Sequence, residues 1–217
     1  HGLQSKSASG HTPFADKQCE TCHGPAGKHT VKRVRKGQKR EDMIDFGVDI
    51  GVPDMTYGWS KLTSEFLAQH CVKSYGLNVL SYRPFSGDGE DQDLTYPFPR
   101  ICKRVLDKEN PMVIWGSGQQ KRDFVHIDDV VEFVLKSIDY MQPGESINIS
   151  SGVGTSFFDL AKQIQEICSV ELELKSDLSK PEGVFYRVGD NAKQLEFYQL
   201  KVSLEEGIRR TLAYLKG

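Results

Sequence analysis

Pro53-Asp54-Met55-Thr56-Tyr57-Gly58-Trp59-Ser60-Lys61-Leu62-Thr63-Ser64-Glu65 is the stretch on which the reading of this chain turns. On a helix, residues i and i+4 lie on one face, so Tyr57 and Lys61 are neighbours there. The Lys61 ammonium then favours the Tyr57 anion and pulls down a phenol pKa that is ordinarily about 10. A tyrosinate near neutrality is a general base able to take a proton from an alcohol. Taken alone, such a pair is usually just a solvated helix face, so the surrounding sequence has to decide.

Downstream, residues 78–82 form a short apolar run ending at Arg83-Pro84. This reads as a buried strand stopped by a residue that cannot donate a ladder hydrogen bond. The loop after such a strand end is where an open α/β sheet binds ligands. Residues 112–115 read as a second strand, with Gly116-Ser117-Gly118 turning into Arg122-Asp123-Phe124. Asp128 or Asp129 is then expected to cap a helix carrying Val131, Val134, Leu135 and Ile138. Phe157, Leu160, Ala161, Ile164, Ile167 and Cys168 recur at helical spacing and predict a buried stripe. Ser203-x-x-Glu206 reads as a capping box opening a last helix whose Ile208, Leu212 and Leu215 face inward.

These pieces, in this order, resemble the C-terminal half of an extended short-chain dehydrogenase/reductase of the NAD-dependent epimerase/dehydratase family. The resemblance rests on residues 53–65, Tyr82-Arg83-Pro84-Phe85-Ser86-Gly87, Trp115-Gly116-Ser117-Gly118, and Arg122-Asp123-Phe124-Val125-His126-Ile127-Asp128-Asp129. Ile147-Asn148-Ile149-Ser150-Ser151-Gly152 and Tyr186-Arg187-Val188-Gly189-Asp190 extend it almost to the C-terminus, so that it covers residues 41–217. It implies an α/β fold, a partial Rossmann-like doubly wound sheet with an α+β substrate-binding region. It also implies Tyr57 and Lys61 as the catalytic pair, which touches NAD as well. Pro84 and Phe85 would lie against the nicotinamide. Ser86 would contact the substrate, and Arg122 and Arg187 would grip the diphosphate of a nucleotide-sugar, for which a planar guanidinium is suited. His126 is expected to be a hydrogen-bonded core residue. The family loop often ends in Tyr-Gly where this chain has Asp88-Gly89.

No G-x-G-x-x-G follows an apolar strand before Tyr57, and 56 residues precede it. The Gly-rich unit that receives the NAD pyrophosphate is therefore expected to be absent. Residues 1–40 carry a different signal. Cys19-Glu20-Thr21-Cys22-His23 is a C-x-x-C-H, the pattern for covalent haem c attachment, and its surroundings resemble one repeat of a multihaem cytochrome c. His29 or His11 would be the second axial ligand. The rivals are a zinc site using Cys19, Cys22 and two nearby His residues, or a thiol pair holding no metal. A segment of about forty residues buries too little to enclose a haem unaided, so a loaded haem is not expected. Residues 28–40 hold seven basic residues and no acidic one, which reads as a solvated linker. The expectation is thus an irregular N-terminal segment, residues 1–40, joined as a chimera to an epimerase-like domain, residues 41–217.

The formal charge of -2 and the lack of aromatics in the basic run argue against nucleic acid as a partner. No apolar run approaches the ~20 residues that span a bilayer, and no secretory signal is visible. Scattered Cys71, Cys102 and Cys168 suit reduced thiols, hence a cytoplasmic location. Three functions follow: an NAD-dependent epimerase, dehydratase or reductase of nucleotide-sugars; a c-type haem electron carrier; or an inactive partial fold that binds a nucleotide-sugar or pairs with a second copy through a sheet edge.

Overall fold

The computed structural model describes residues 55–217, with side chains from Tyr57 onward. Cys19, Cys22, His23 and the basic run of residues 28–40 lie outside the described residues, so the haem and linker readings are not addressed by the structure. The chain divides into two compact units.

The first unit holds the described residues up to Arg83 together with Tyr140–Asn148. Its helix α1 (Met55–Tyr75) carries the Tyr-Lys pair. The helix stops at Gly76, whose φ of 66° is left-handed. The Gly76 amide donates to the Val72 carbonyl and the Leu77 amide to that of Cys71, so orphan carbonyls of the last turn are satisfied. Strand β1 (Ser81–Pro84) pairs with β6 (Ser146–Ile149). The strand begins three residues later than the sequence pattern suggests; Ser81 and Tyr82 are half-buried, Arg83 is buried and Pro84 is exposed. Among the described residues it has one strand neighbour, and a charged side chain sits at its centre. That Arg83 is held by Glu65 of α1, with Nε to Oε1 at 2.7 Å and Nη2 to Oε2 at 2.5 Å.

The second unit, Pro84–Asp139 with Ile149–Gly217, contains the parallel pairing typical of an α/β fold. Strand β2 (Ser86–Asp88) runs parallel to β5 (Phe124–His126), and β3 (Met112–Trp115) parallel to β8 (Leu174–Asp177). In a three-stranded sheet, β4 (Lys121–Arg122) lies between antiparallel β7 (Thr155–Ser156) and parallel β9 (Tyr186–Arg187). Helices α2 (Pro97–Leu106), α4 (Phe157–Cys168) and α6 (Leu204–Lys216) bury one face each in a common core. Phe98, Ile101 and Val105 meet Leu160, Ala161 and Ile164, and Ile208 and Leu212, above Met112 and Ile114. Each large aliphatic or aromatic side chain so buried contributes about 1.5–3 kcal/mol relative to exposure.

Local sequence sets these helix ends. Pro97 occupies the first turn of α2, where its missing N–H costs nothing. Ser156 caps α4: its Oγ accepts from the Asp159 amide at 3.0 Å and donates to the Asp159 carboxylate at 2.7 Å. Ser203 caps α6 through the Glu206 amide, as the sequence suggests, while the Glu206 carboxylate turns to Arg210. Helix α3 (Ile127–Ser137) departs from expectation twice. Its cap is His126, whose Nδ1 accepts from the Asp128 amide at 3.2 Å, in place of Asp128 or Asp129. Its buried positions are Asp129, Phe133 and Ser137, whereas Val131, Leu135 and Ile138 are exposed. Asp129 goes inward because it is an anchor, accepting from the Tyr198 hydroxyl and from the Lys201 and Val202 amides. The short helix α5 (Ala192–Leu195) leads into that segment. No helix among the described residues is long and apolar enough to cross a membrane.

Candidate active site

Two groups of side chains emerge, one in each unit. On α1 the Lys61 ammonium lies over the Tyr57 ring, 5.4 Å from its centroid. The phenol is open to an incoming molecule, since Tyr57 is 58% exposed. Ser60, between them in sequence, is engaged with its own helix and donates to the Tyr57 carbonyl at 2.7 Å. The arrangement pairs an exposed tyrosine with an ammonium on one helix face, a combination suited to proton removal from an alcohol.

In the second unit, Arg122 and Arg187 are direct register partners on β4 and β9. Both are half-buried. Arg122 Nη1 donates to the carbonyls of Lys121 and Val184, each at 2.7 Å, and its guanidinium lies 5.4 Å from the centroid of the Phe157 ring. Two guanidinium-bearing residues thus stand on neighbouring strands. Pro84 is exposed, and Phe85 is half-buried with its ring edge against Gly189, so close that a Cβ at Gly189 would stand 2.6 Å from it. The Ser86 amide donates to the Asp123 carbonyl at 2.9 Å. The structure therefore brings Phe85, Ser86, Arg122 and Arg187 into one network of the second unit, and Tyr57 and Lys61 together in the first.

Three features of this region went unassigned from sequence. Asp123, whose carboxylate accepts from Ser151, Gly152 and Gly189, follows Arg122 directly, and that place is the only sequence signal for it. Trp115, at the end of β3, is 60% exposed and has the Lys180 ammonium 5.8 Å from its ring centroid. Asp88 is buried on β2 opposite His126, and its Oδ2 has no hydrogen-bond partner. Burial above all, then the charges of Glu90 and Asp129, push its pKa up to about 7. His126, also buried, has Nε2 at 3.4 Å from the Glu90 carboxylate. Among the described residues no cluster of His, Cys, Asp or Glu could hold a metal ion.

The pattern of the NAD dependent epimerase/dehydratase family matches residues 32–150, more than half of the chain. The chain belongs to this family. The epimerase/dehydratase match takes in Tyr57, Lys61, Arg122 and the loop after β1, while Arg187 and α6 lie beyond it. Among individual proteins the chain is similar to the uncharacterized UDP-glucose epimerase YtcB of Bacillus subtilis (strain 168), at 31% identity over 76% of this chain and 53% of that protein. It is similar also to the Probable GDP-L-fucose synthase 1 of Oryza sativa subsp. japonica, at 33% identity over 71% of this chain and 50% of that one. Of solved structures, the UDP-glucose 4-epimerase of Thermotoga maritima with UDP-glucose superposes with a TM-score of 0.72 at 29% identity, covering 77% of this chain and 55% of that enzyme. The fold is thus α/β and Rossmann-like, and the chain spans about half the length of the curated relatives it matches.

Proposed function

We propose that the chain serves an NAD-dependent epimerase, dehydratase or reductase acting on a nucleotide-sugar, with Tyr57 as the base that takes a proton from a sugar hydroxyl. The observation that carries this reading is the accessible Tyr57 phenol with the Lys61 ammonium over its ring, one helical turn away. In this reading Lys61 stabilises the phenolate and holds the nicotinamide ribose, Pro84 and Phe85 lie against the nicotinamide, and Ser86 contacts the sugar. Arg122 and Arg187 neutralise the diphosphate. Trp115, broad and exposed, offers a face on which a nucleobase can stack, a contact that suits any base. NAD, when bound, supplies the hydride acceptor, and the described residues serve its nicotinamide end. The family membership and the nucleotide-sugar names of the relatives support the substrate class.

Binding and turnover separate the parts of this reading. Titration with NAD and with UDP-, GDP- and dTDP-sugars is expected to show nucleotide-sugar binding. Tyr57→Phe is expected to cut turnover by about 10²–10⁴-fold while leaving nucleotide-sugar affinity within a factor of about two. Parallel loss of affinity would assign Tyr57 to the scaffold and overturn its role as base.

A further inference from the structure

We propose that Asp123 is the positioning residue of the diphosphate site, setting Arg187 beside Arg122 through the backbone and touching no ligand itself. This rests on the reading of Arg122 and Arg187 given above. Asp123 is 0% exposed. Oδ1 accepts from the Ser151 amide at 2.7 Å and the Ser151 hydroxyl at 2.6 Å. Oδ2 accepts from the Gly152 amide at 3.0 Å and the Gly189 amide at 3.1 Å. An ionised carboxylate has about four acceptor positions, and here neutral donors fill them. Burial, the largest influence, pushes the Asp123 pKa up, and the bonds from Ser151, Gly189 and Gly152 pull it back.

The segments that Asp123 joins are what point to function. Arg122 is its immediate neighbour in the chain, and Gly189 comes two residues after Arg187. Ser86 reaches the Asp123 carbonyl through its amide. Residues 151 and 152 lead directly into Thr155, the register partner of Arg122 on β7. Gly189 approaches so closely that a Cβ there would stand 2.5 Å from Ser150 and 2.6 Å from Phe85. One side chain therefore fixes where β7, β4 and β9 end and where Arg187 lies beside Arg122. Asp129 makes the contrast. It too is a buried carboxylate bonded to a distant segment, but Tyr198, Lys201 and Val202 adjoin no candidate site residue.

In Asp123→Asn one acceptor becomes an NH₂ that faces N–H donors, which releases one side of this junction. The test is calorimetric titration of the full chain with UDP, GDP and dTDP, for wild type, Asp123→Asn, Arg187→Ala, their double variant, and Asp129→Asn as control, with melting temperatures measured alongside. Asp123→Asn is expected to weaken binding about tenfold in a protein still folded at the titration temperature. The double variant is expected to bind no more than about twofold more weakly than Arg187→Ala, because the carboxylate acts through that arginine. Asp129→Asn should lower the melting temperature and leave affinity unchanged. Should Asp123→Asn not fold, Ser151→Ala, which removes one hydroxyl donor, is expected to weaken binding about threefold, again without effect when Arg187 is Ala. Unchanged affinity in the folded variant, or losses that multiply in the double variant, would overturn the proposal. If wild type bound none of the three diphosphates, the reading of the arginines would fail and this inference with it.

Discussion

Arg83→Ala is expected to lower the unfolding free energy by about 3–5 kcal/mol, the range for breaking a buried ion pair from one side. Arg83 is 8% exposed, and it donates from two nitrogens to the two oxygens of Glu65 while Nη1 lies 3.5 Å from Asn148 Oδ1. Truncating it strands the Glu65 carboxylate, which is largely shielded from water, and leaves a cavity beside β1. Arg83→Lys should recover less than half of the loss, since an ammonium cannot reproduce the two parallel bonds of a guanidinium. Removing both charges with Arg83→Met and Glu65→Leu should cost less than Arg83→Ala, because no charge is then stranded. Urea unfolding at constant m-value measures each difference. A loss below about 1 kcal/mol for Arg83→Ala would mean that the pair behaves as a surface salt bridge and does not fasten α1 to the strand.

Asp88→Asn is expected to stabilise the protein at pH 8 by up to about 3–4 kcal/mol and to change little at pH 4. The sign follows from the direction of the shift. The carboxyl has a folded-state pKa of about 7 against an ordinary value of 3.8, so between those two values the folded chain holds a proton that the unfolded chain has released. Stability from this group is complete below the unfolded pKa, falls as pH rises, and is fully lost above about 7. The chief physical cause is burial, which strips water from the charged form. Asp88 is 4% exposed, and its Oδ2 lies 2.5 Å from where a Cβ on Gly207 would stand, against the backbone of α6. An amide has nearly the same shape and no charge to desolvate. Melting temperatures of wild type and Asp88→Asn from pH 4 to 8 supply the check, and parallel curves would show that Asp88 is ionised without penalty in the folded protein.

Elements set by local chemistry could be read from the sequence. Residues 112–115 are apolar and bounded by Pro111 and Gly116, and β3 occupies those same positions. The α4 stripe at Phe157, Leu160, Ala161 and Ile164 is buried as its spacing requires, and Ser203 caps α6. What could not be read depends on partners far away in the chain. Helix α3 looks amphipathic through Val131, Leu135 and Ile138, yet it turns Asp129 inward because backbone amides at residues 201 and 202 need an acceptor. Asp88 and Asp123 are acidic residues in short strands or loops, indistinguishable by pattern from solvated ones, and only the packing shows that both are buried. The Tyr-Lys spacing put two groups on one helix face. Their roles, like those of the arginines, came from the resemblance.

The alignment of Arg122 with Arg187 across parallel strands has a further consequence. Like charges on neighbouring strands repel, and a polyanion bound across β4 and β9 would relieve that repulsion. Occupancy and thermal resistance should then be linked: inorganic pyrophosphate at saturating concentration is expected to raise the melting temperature by several degrees, with the gain shrinking as sodium chloride is added.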